Sequence, residues 1–346
     1  MEQASAGDRS YCHSSGRQAS PADQPLYGAL DLGTNNCRLL LARPSDDGFQ
    51  VIEAFSKVTR LGEGLANSGQ LSDDAIERTL SALHQCAQRL ERRGAHRVRS
   101  VATEACRRAT NGSAFLQRVY DDTGLILETI SADDEARLAL AGCAPLLDRR
   151  HPYALVFDIG GGSTELIKVK LGRTPAQDTI ETLVSLPIGV VTLAEERGVL
   201  LQAAEGYAAT VAHVSEKLLP FENQSGFGQL VAEGKVQMLG TSGTVTTLAG
   251  IHLDLPRYDR AQVDGLVMDF SAIRDVSRRL VTADAAERAS HPCIGESRAD
   301  LVVAGCAILE AICRLWPAGR LTVADRGVRE GVLLSMMQAD RLAAGL

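Results

Sequence analysis

The chain has 346 residues, of which 45% are hydrophobic and only 4% aromatic, and carries a net charge of −7. That length suits two domains of ordinary size, with cores built from Leu, Val, Ile and Ala. The negative balance excludes a general nucleic-acid coat, which needs a basic surface, but leaves room for an anionic substrate met by a local arginine cluster.

Residues 1–24, rich in Ser, Ala, Gln, Asp and Gly with no hydrophobic period, read as a disordered tail. Residues 27–31 read as a strand entering a turn and 38–43 as the strand leaving it. The spacing of Ile76, Leu80, Leu83 and Leu90 predicts an amphipathic helix over 71–93, capped by Ser72 and stopped by Gly94. A strand at 97–102, a helix from Ser113 to Tyr120 and a strand at 125–130 follow. Ser131 and Asp134 then open a helix that runs to Gly142. The second half resumes the alternation with strands at 153–159 and 164–169 and a mostly helical segment at 199–219. A strand, glycine turn and helix occupy 235–250, a long helix 297–315, a strand 321–325, and a closing helix starts at Gly327. Strands interleaved with helices imply α/β layers.

The 8 cysteines include no close Cys-x-x-Cys pair and several sit among apolar residues, as expected for reduced, buried thiols of a cytoplasmic protein. The chain has no early apolar run of signal-peptide type and no run long enough to span a membrane, so neither export nor membrane association is expected.

An internal repeat carries more weight than any single element. Ala29-Leu-Asp-Leu-Gly-Thr-Asn-Asn-Cys-Arg-Leu-Leu40 aligns with Val156-Phe-Asp-Ile-Gly-Gly-Gly-Ser-Thr-Glu-Leu-Ile167, superposing Asp31 on Asp158 and Gly33 on Gly160. Two such turns suggest two related halves facing a shared cleft. Their amides, at Gly160, Gly161, Gly162 and Ser163 in one and beside Gly33, Thr34, Asn35 and Asn36 in the other, are candidates to surround phosphate oxygens. Gly240, Thr241, Ser242 and Gly243 form a third glycine turn before a helix, whose N-terminal amides favour an anion. Asp31 and Asp158 point into the same cleft, and carboxylates near phosphates make most sense with Mg²⁺ between them.

These turns, with Thr103-Glu-Ala-Cys-Arg-Arg-Ala-Thr-Asn111, Ile130-Ser-Ala-Asp-Asp-Glu-Ala-Arg-Leu138 and Ala324-Asp-Arg-Gly-Val-Arg-Glu-Gly331, resemble the exopolyphosphatase/guanosine pentaphosphate phosphohydrolase (Ppx/GppA) family of the actin-like ATPase superfamily. The resemblance runs from about residue 26 nearly to the end. It implies two actin-like, ribonuclease H-like α/β domains about a cleft: 25–147, completed by the C-terminal helix 333–346, and 148–332. It implies a short form without the HD-type helical region that larger relatives add, and a homodimer. The implied activity is Mg²⁺-dependent removal of a terminal phosphoryl group from inorganic polyphosphate or from pppGpp. By the same resemblance Glu135, immediately before Ala136-Arg137, is the catalytic base, and Arg107 contacts phosphate. Many relatives read Ser-Gly-x-Glu-Glu-Ala-Arg where this chain has Ser131-Ala-Asp-Asp-Glu135, so the base is retained and its neighbours differ.

At the start of its helix Glu135 is expected to be ionised at neutral pH. Glu165 either orients water or joins Asp31 and Asp158 in holding Mg²⁺. Arg60 is a further candidate for the cleft, Arg108 a solvated neighbour, and His291 a structural or surface residue. A kinase of the same superfamily and a non-hydrolytic nucleotide or polyphosphate sensor are the alternatives. The chain shows no acceptor-binding signature for the first, and a pure binder gains nothing from an attacking-water base.

Overall fold

The computed structural model describes residues 24–46 and 48–345, so the expected tail lies almost wholly outside the described residues. Two mixed sheets form the frame. In the first, β1 (Tyr27–Leu32), β2 (Asn36–Ser45) and β3 (Gly48–Val58) make an antiparallel meander, and β4 (Arg97–Ala102) and β5 (Leu127–Thr129) extend it in parallel beyond β1. In the second, β6 (Tyr153–Ile159), β7 (Thr164–Lys170) and β8 (Thr179–Leu186) repeat the meander. Beyond β6 lie β9 (Val236–Thr241) and then β11 (Arg320–Ala324), both parallel, with β10 (Val267–Asp269) antiparallel at the edge.

The repetition reaches the hydrogen bonds. Gly33 N–H donates to Asn36 O across the first turn and Gly160 N–H to Ser163 O across the second, both at 2.9 Å. Each meander carries an irregularity in register, at Leu41/Ala42 and at Lys168/Val169, equally far beyond Asp31 and Asp158. Strands β3 and β8 are additions to the sequence reading, and they complete the match between the halves.

Period-two alternation sorts the side chains of the first sheet. Leu30, Leu32, Leu39 and Leu41 face Ile76, Leu80, Leu83 and Leu90 of the helix Asp73–Arg93, whose Ser72 cap accepts from Ala75 N–H. Tyr27, Ala29 and Leu40 face the other way, onto Val332, Leu333 and Met336 of the closing helix Val328–Ala343. In the second sheet, Leu155, Phe157 and Met238 pack on the helices Ala204–Ser225 and Val302–Leu315, where Trp316 is fully buried. Val156 and Ile167 on its opposite face are covered by Ala136 and Leu140 of the helix Ala132–Cys143.

That helix and the closing helix therefore stand back to back between the sheets. They approach so closely that a methyl group at Gly331 would overlap the Leu138 carbonyl oxygen, and one at Gly142 the Gly327 carbonyl oxygen. The expected α/β architecture of two repeated halves about a cleft is present. No helix among the described residues is long and apolar enough to cross a membrane. The seven cysteines of the described residues are all free and buried.

Candidate active site

Strands β1 and β6 carry their turns toward each other into a cleft of about 500 Å³ lined by both halves. The turns touch. A methyl group on Gly161 would come within 3.0 Å of Thr34 Cβ, and one on Gly162 within 2.8 Å of Thr34 Oγ1. Neither glycine adopts a positive φ, so these positions require the absence of a side chain where two backbones meet. Among the described residues, the amides of Thr34, Asn35, Gly161 and Gly162 donate to no acceptor in the chain. The Oδ1 atoms of Asn35 and Asn36 are buried without a partner. Buried polar groups are normally satisfied, so a ligand or water must complete these.

Every sequence candidate for phosphate or metal lines this cleft except Gly240 and Arg107. Gly240 lies inside β9, opposite Phe157 in the ladder, and a methyl group there would come within 2.6 Å of the Phe157 ring. It is a packing glycine, and its assignment to phosphate is withdrawn. Two hydroxyls are also committed elsewhere: Thr241 Oγ1 donates to Arg326 O, and Ser163 Oγ donates to Glu165 Oε1 at 2.8 Å. Ser242, at the start of the helix Ser242–His252, holds a left-handed φ of 78°, a strained backbone for a residue with a side chain and of a kind that gathers at functional sites.

Asp31, Glu135, Asp158 and Glu165 are among the carboxyl groups that line the cleft. Burial is the largest influence on each and pushes all four upward. Asp158 reaches about 6, with the charge of Asp31 adding to the effect of burial. Glu165 reaches about 7, raised further by Asp158 and restrained by hydrogen bonds from Ser185 and Ser163. Glu135 is pushed well above the carboxylate range by burial and by Glu165, against the pull of Arg107. The expectation of an ordinarily ionised Glu135 is thus corrected. Ser131 does cap its helix, accepting from Asp134 N–H at 3.0 Å, but a helix terminus contributes at most about 2 kcal/mol while burial shifts carboxyls by up to about 3–5 pKa units.

Arg107 stands behind this group. Its Nη1 and Nη2 each lie 3.3 Å from Glu135 Oε2, Nη2 donates to Glu104 Oε2 at 2.6 Å, and Nη1 donates to Ile130 O at 2.8 Å. It is therefore fixed by two carboxylates, and reaches phosphate only alongside Glu135. Arg108 lies outward, 3.7 Å from Glu104. Arg60 meets the first turn with its backbone alone, its N–H donating to Asn35 O at 3.1 Å; its side chain joins the halves at another edge, donating to Asp300 at 2.9 Å and to Ser297 O at 3.1 Å. His291 accepts from Cys293 N–H and does not line the cleft.

The residues that sequence reading missed are cations. Arg38, Arg298 and Arg329 line the cleft, and none of the three makes a hydrogen bond or ion pair among the described residues. Burial, then the neighbouring charge of Arg38, lowers the pKa of Arg298, and burial lowers that of Arg329, yet guanidinium groups remain charged in proteins. Arg38 faces Asp31 across the β1–β2 ladder. Arg329 follows the start of the closing helix, beside Glu330, which is 1% exposed and held by Arg260 at 2.8 Å. Glu104, which lines the cleft beside Gly162, was also passed over. A buried, unpaired arginine cannot be told from a surface arginine by sequence alone.

The donor set is of hard oxygens, as Mg²⁺ requires. Among the described residues, however, no three His, Cys, Asp or Glu side chains come close enough together to hold one metal ion. Asp31, Asp158 and Glu165 therefore do not close into a three-ligand cage. The arrangement fits an ion held by one or two carboxylates and completed by water and phosphate oxygens.

A sequence model of the Ppx/GppA phosphatase family matches residues 40–340. Two curated relatives, each named guanosine-5'-triphosphate,3'-diphosphate pyrophosphatase, come from Vibrio vulnificus and Photobacterium profundum. They are 32% and 30% identical over 320 and 322 residues, in each case 92% of this chain but 61% and 60% of theirs. The chain thus spans about three fifths of the length of these relatives. Among solved structures, an Aquifex aeolicus member of the Ppx/GppA family is 28% identical with a TM-score of 0.72, covering 91% of this chain and 98% of that one. An exopolyphosphatase from Cytophaga hutchinsonii shares the fold at a TM-score of 0.80 and 23% identity, again over 91% of this chain and 98% of that one. With its duplicated turns and its match over most of its length, the chain belongs to the Ppx/GppA phosphatase family.

Proposed function

We propose that the chain is a phosphoanhydride hydrolase that removes the terminal phosphoryl group of inorganic polyphosphate or of the 5'-triphosphate of pppGpp. The observation that carries this reading is the mixed lining of the cleft. Three guanidiniums without a hydrogen bond or ion pair among the described residues, Arg38, Arg298 and Arg329, line it together with Glu135 and Glu165, and Arg107 stands behind Glu135. A chain of phosphates finds there cations for its oxygens and carboxyls for an attacking water.

In this reading the free amides of Thr34, Asn35, Gly161 and Gly162 receive the phosphoryl oxygens. Glu135 takes the proton of the attacking water. Its raised pKa makes it a better proton acceptor than an exposed glutamate once ionised, and Arg107 holds the ionised form in place. Glu165 orients the same water from the other turn. Asp31 and Asp158 hold Mg²⁺, which when bound supplies positive charge to the phosphate oxygens. The new bond forms between the water oxygen and the terminal phosphorus, and the bridging oxygen leaves with the rest of the substrate.

The curated relatives named guanosine-5'-triphosphate,3'-diphosphate pyrophosphatase support the second of the proposed substrates, pppGpp. Phosphate release measured with polyphosphate, with pppGpp, and with ATP plus glycerol separates hydrolysis from a kinase or a sensor. The expected result is release from one or both of the first two, lowered about 10³-fold in Glu135→Ala with the fold retained. Near-wild-type release by that variant removes Glu135 from the mechanism, and binding without release favours the sensor.

A further inference from the structure

One oxygen of the Glu165 carboxyl is held by two hydroxyls, and one of these comes from a strand the sequence did not signal. Ser163 Oγ donates to Glu165 Oε1 at 2.8 Å, and Ser185 Oγ donates to the same oxygen at 2.7 Å. Ser185 stands directly opposite Glu165 in the β7–β8 ladder. Oε2 receives no hydrogen bond among the described residues, although Glu165 as a whole is 2% exposed. Ser185 itself does not line the cleft.

We propose that Ser185 is a positioning residue of the reaction: with Ser163 it saturates one oxygen of Glu165 and so presents the other to the attacking water. This rests on the role given to Glu165 above. Two donors approaching one carboxylate oxygen, one from the turn and one from the neighbouring strand, fix both the χ angles and the plane of the carboxyl group. With one donor the group keeps a rotational freedom that a water-orienting carboxylate cannot have, because a misplacement of about 1 Å can cost about 100-fold in rate. The pairing also commits the Ser163 hydroxyl to Glu165, leaving only its backbone for phosphate. Ser185 lies outside the lining of the cleft, so its loss acts on the chemical step and not on substrate binding.

The test compares wild type with Ser185→Ala, Ser185→Thr and Glu165→Gln, using phosphate release from whichever of polyphosphate or pppGpp the wild type hydrolyses, with thermal unfolding of each variant. Ser185→Ala is expected to lower kcat about 10- to 100-fold. KM should stay within about twofold and the Tm should be little changed. Ser185→Thr, which keeps the hydroxyl in a strand that suits a β-branched residue, is expected to recover most of kcat. In the Glu165→Gln background the alanine change should add little, because two residues acting through one group are not additive. A Ser185→Ala enzyme with wild-type kcat, or one whose loss lies in KM or is not rescued by threonine, overturns the proposal. If Glu165→Gln itself is fully active, the role of Glu165 fails first, and that result is distinct from the others.

Discussion

Asp31 and Asp158 occupy equivalent places in two copies of one hairpin, but the residues opposite them differ in sign. Across the ladder from Asp31 stands Arg38, and across from Asp158 stands Glu165. The duplicated scaffold thus offers a cation in one turn, suited to phosphate, and a carboxylate in the other, suited to water. Alignment of the two stretches already pairs Arg38 with Glu165. What sequence hides is the burial of this pair: Glu165 is buried and Arg38 half-buried. For Asp158 the consequence is a measurable cost. Its carboxyl has an ordinary value of 3.8 and reaches about 6 in the folded chain, so between those values the folded state holds more protons than the unfolded one. Stability therefore falls as pH rises through this window, and above about pH 6 the full penalty is present. Asp158→Asn should raise Tm by roughly 3 °C at pH 8 without Mg²⁺, and the gain should shrink toward zero at pH 4 while phosphate release is lost at every pH. A Tm difference that is constant from pH 4 to 8 would show that the charge of Asp158 is already compensated.

At the scale of elements, the helices Ala132–Cys143 and Val328–Ala343 carry Glu135 and Arg329 into the cleft. Their separation is set by glycine. In an exposed helix, replacing glycine by alanine stabilises by about 1 kcal/mol. At Gly331 the added methyl group meets the Leu138 carbonyl oxygen, so the helices must move apart. Gly331→Ala is expected to destabilise by about 1–3 kcal/mol, the cost of overpacking, and to lower kcat as Glu135 shifts. A stabilised variant in denaturant titration would refute this reading of the helix pair. Buried strands and the amphipathic helix Asp73–Arg93 were legible from their period. Strands β3 and β8 were not, since neither contains a fully buried residue and their polar and apolar side chains mix. The long helix read over 297–315 begins only at Val302, because residues before it form turns held by Arg298 O and Leu301 O. Ser185 lies on one of the unread strands, which is why its contact with Glu165 had no sequence signal.

For the whole molecule, the architecture was legible because the repeat fixes it: two Asp-x-Gly turns predict two sheets facing one cleft, and the sheets share their topology through five strands each. The cleft gathers most of the residues named from motif alone; Gly240 falls outside it because the glycine turn begins one residue inside a strand, and Arg107 because it stands behind Glu135. The cations were illegible individually, since Arg38, Arg298 and Arg329 come from distant parts of the chain and meet only in the folded state. The halves also join at a second edge, through Arg60 to Asp300 and Gly64 N–H to Glu195. In the proposed function these features serve attack by water, so that water and not another acceptor receives the terminal phosphoryl group. A single-turnover reaction in ¹⁸O-labelled water with excess enzyme tests this most directly, using polyphosphate and pppGpp in turn and glycerol as a competing acceptor. The account predicts orthophosphate carrying one labelled oxygen, none of the label in the shortened substrate, and loss of the product in Glu135→Ala. Unlabelled orthophosphate, label in the shortened substrate, or transfer of the phosphoryl group to glycerol would contradict it.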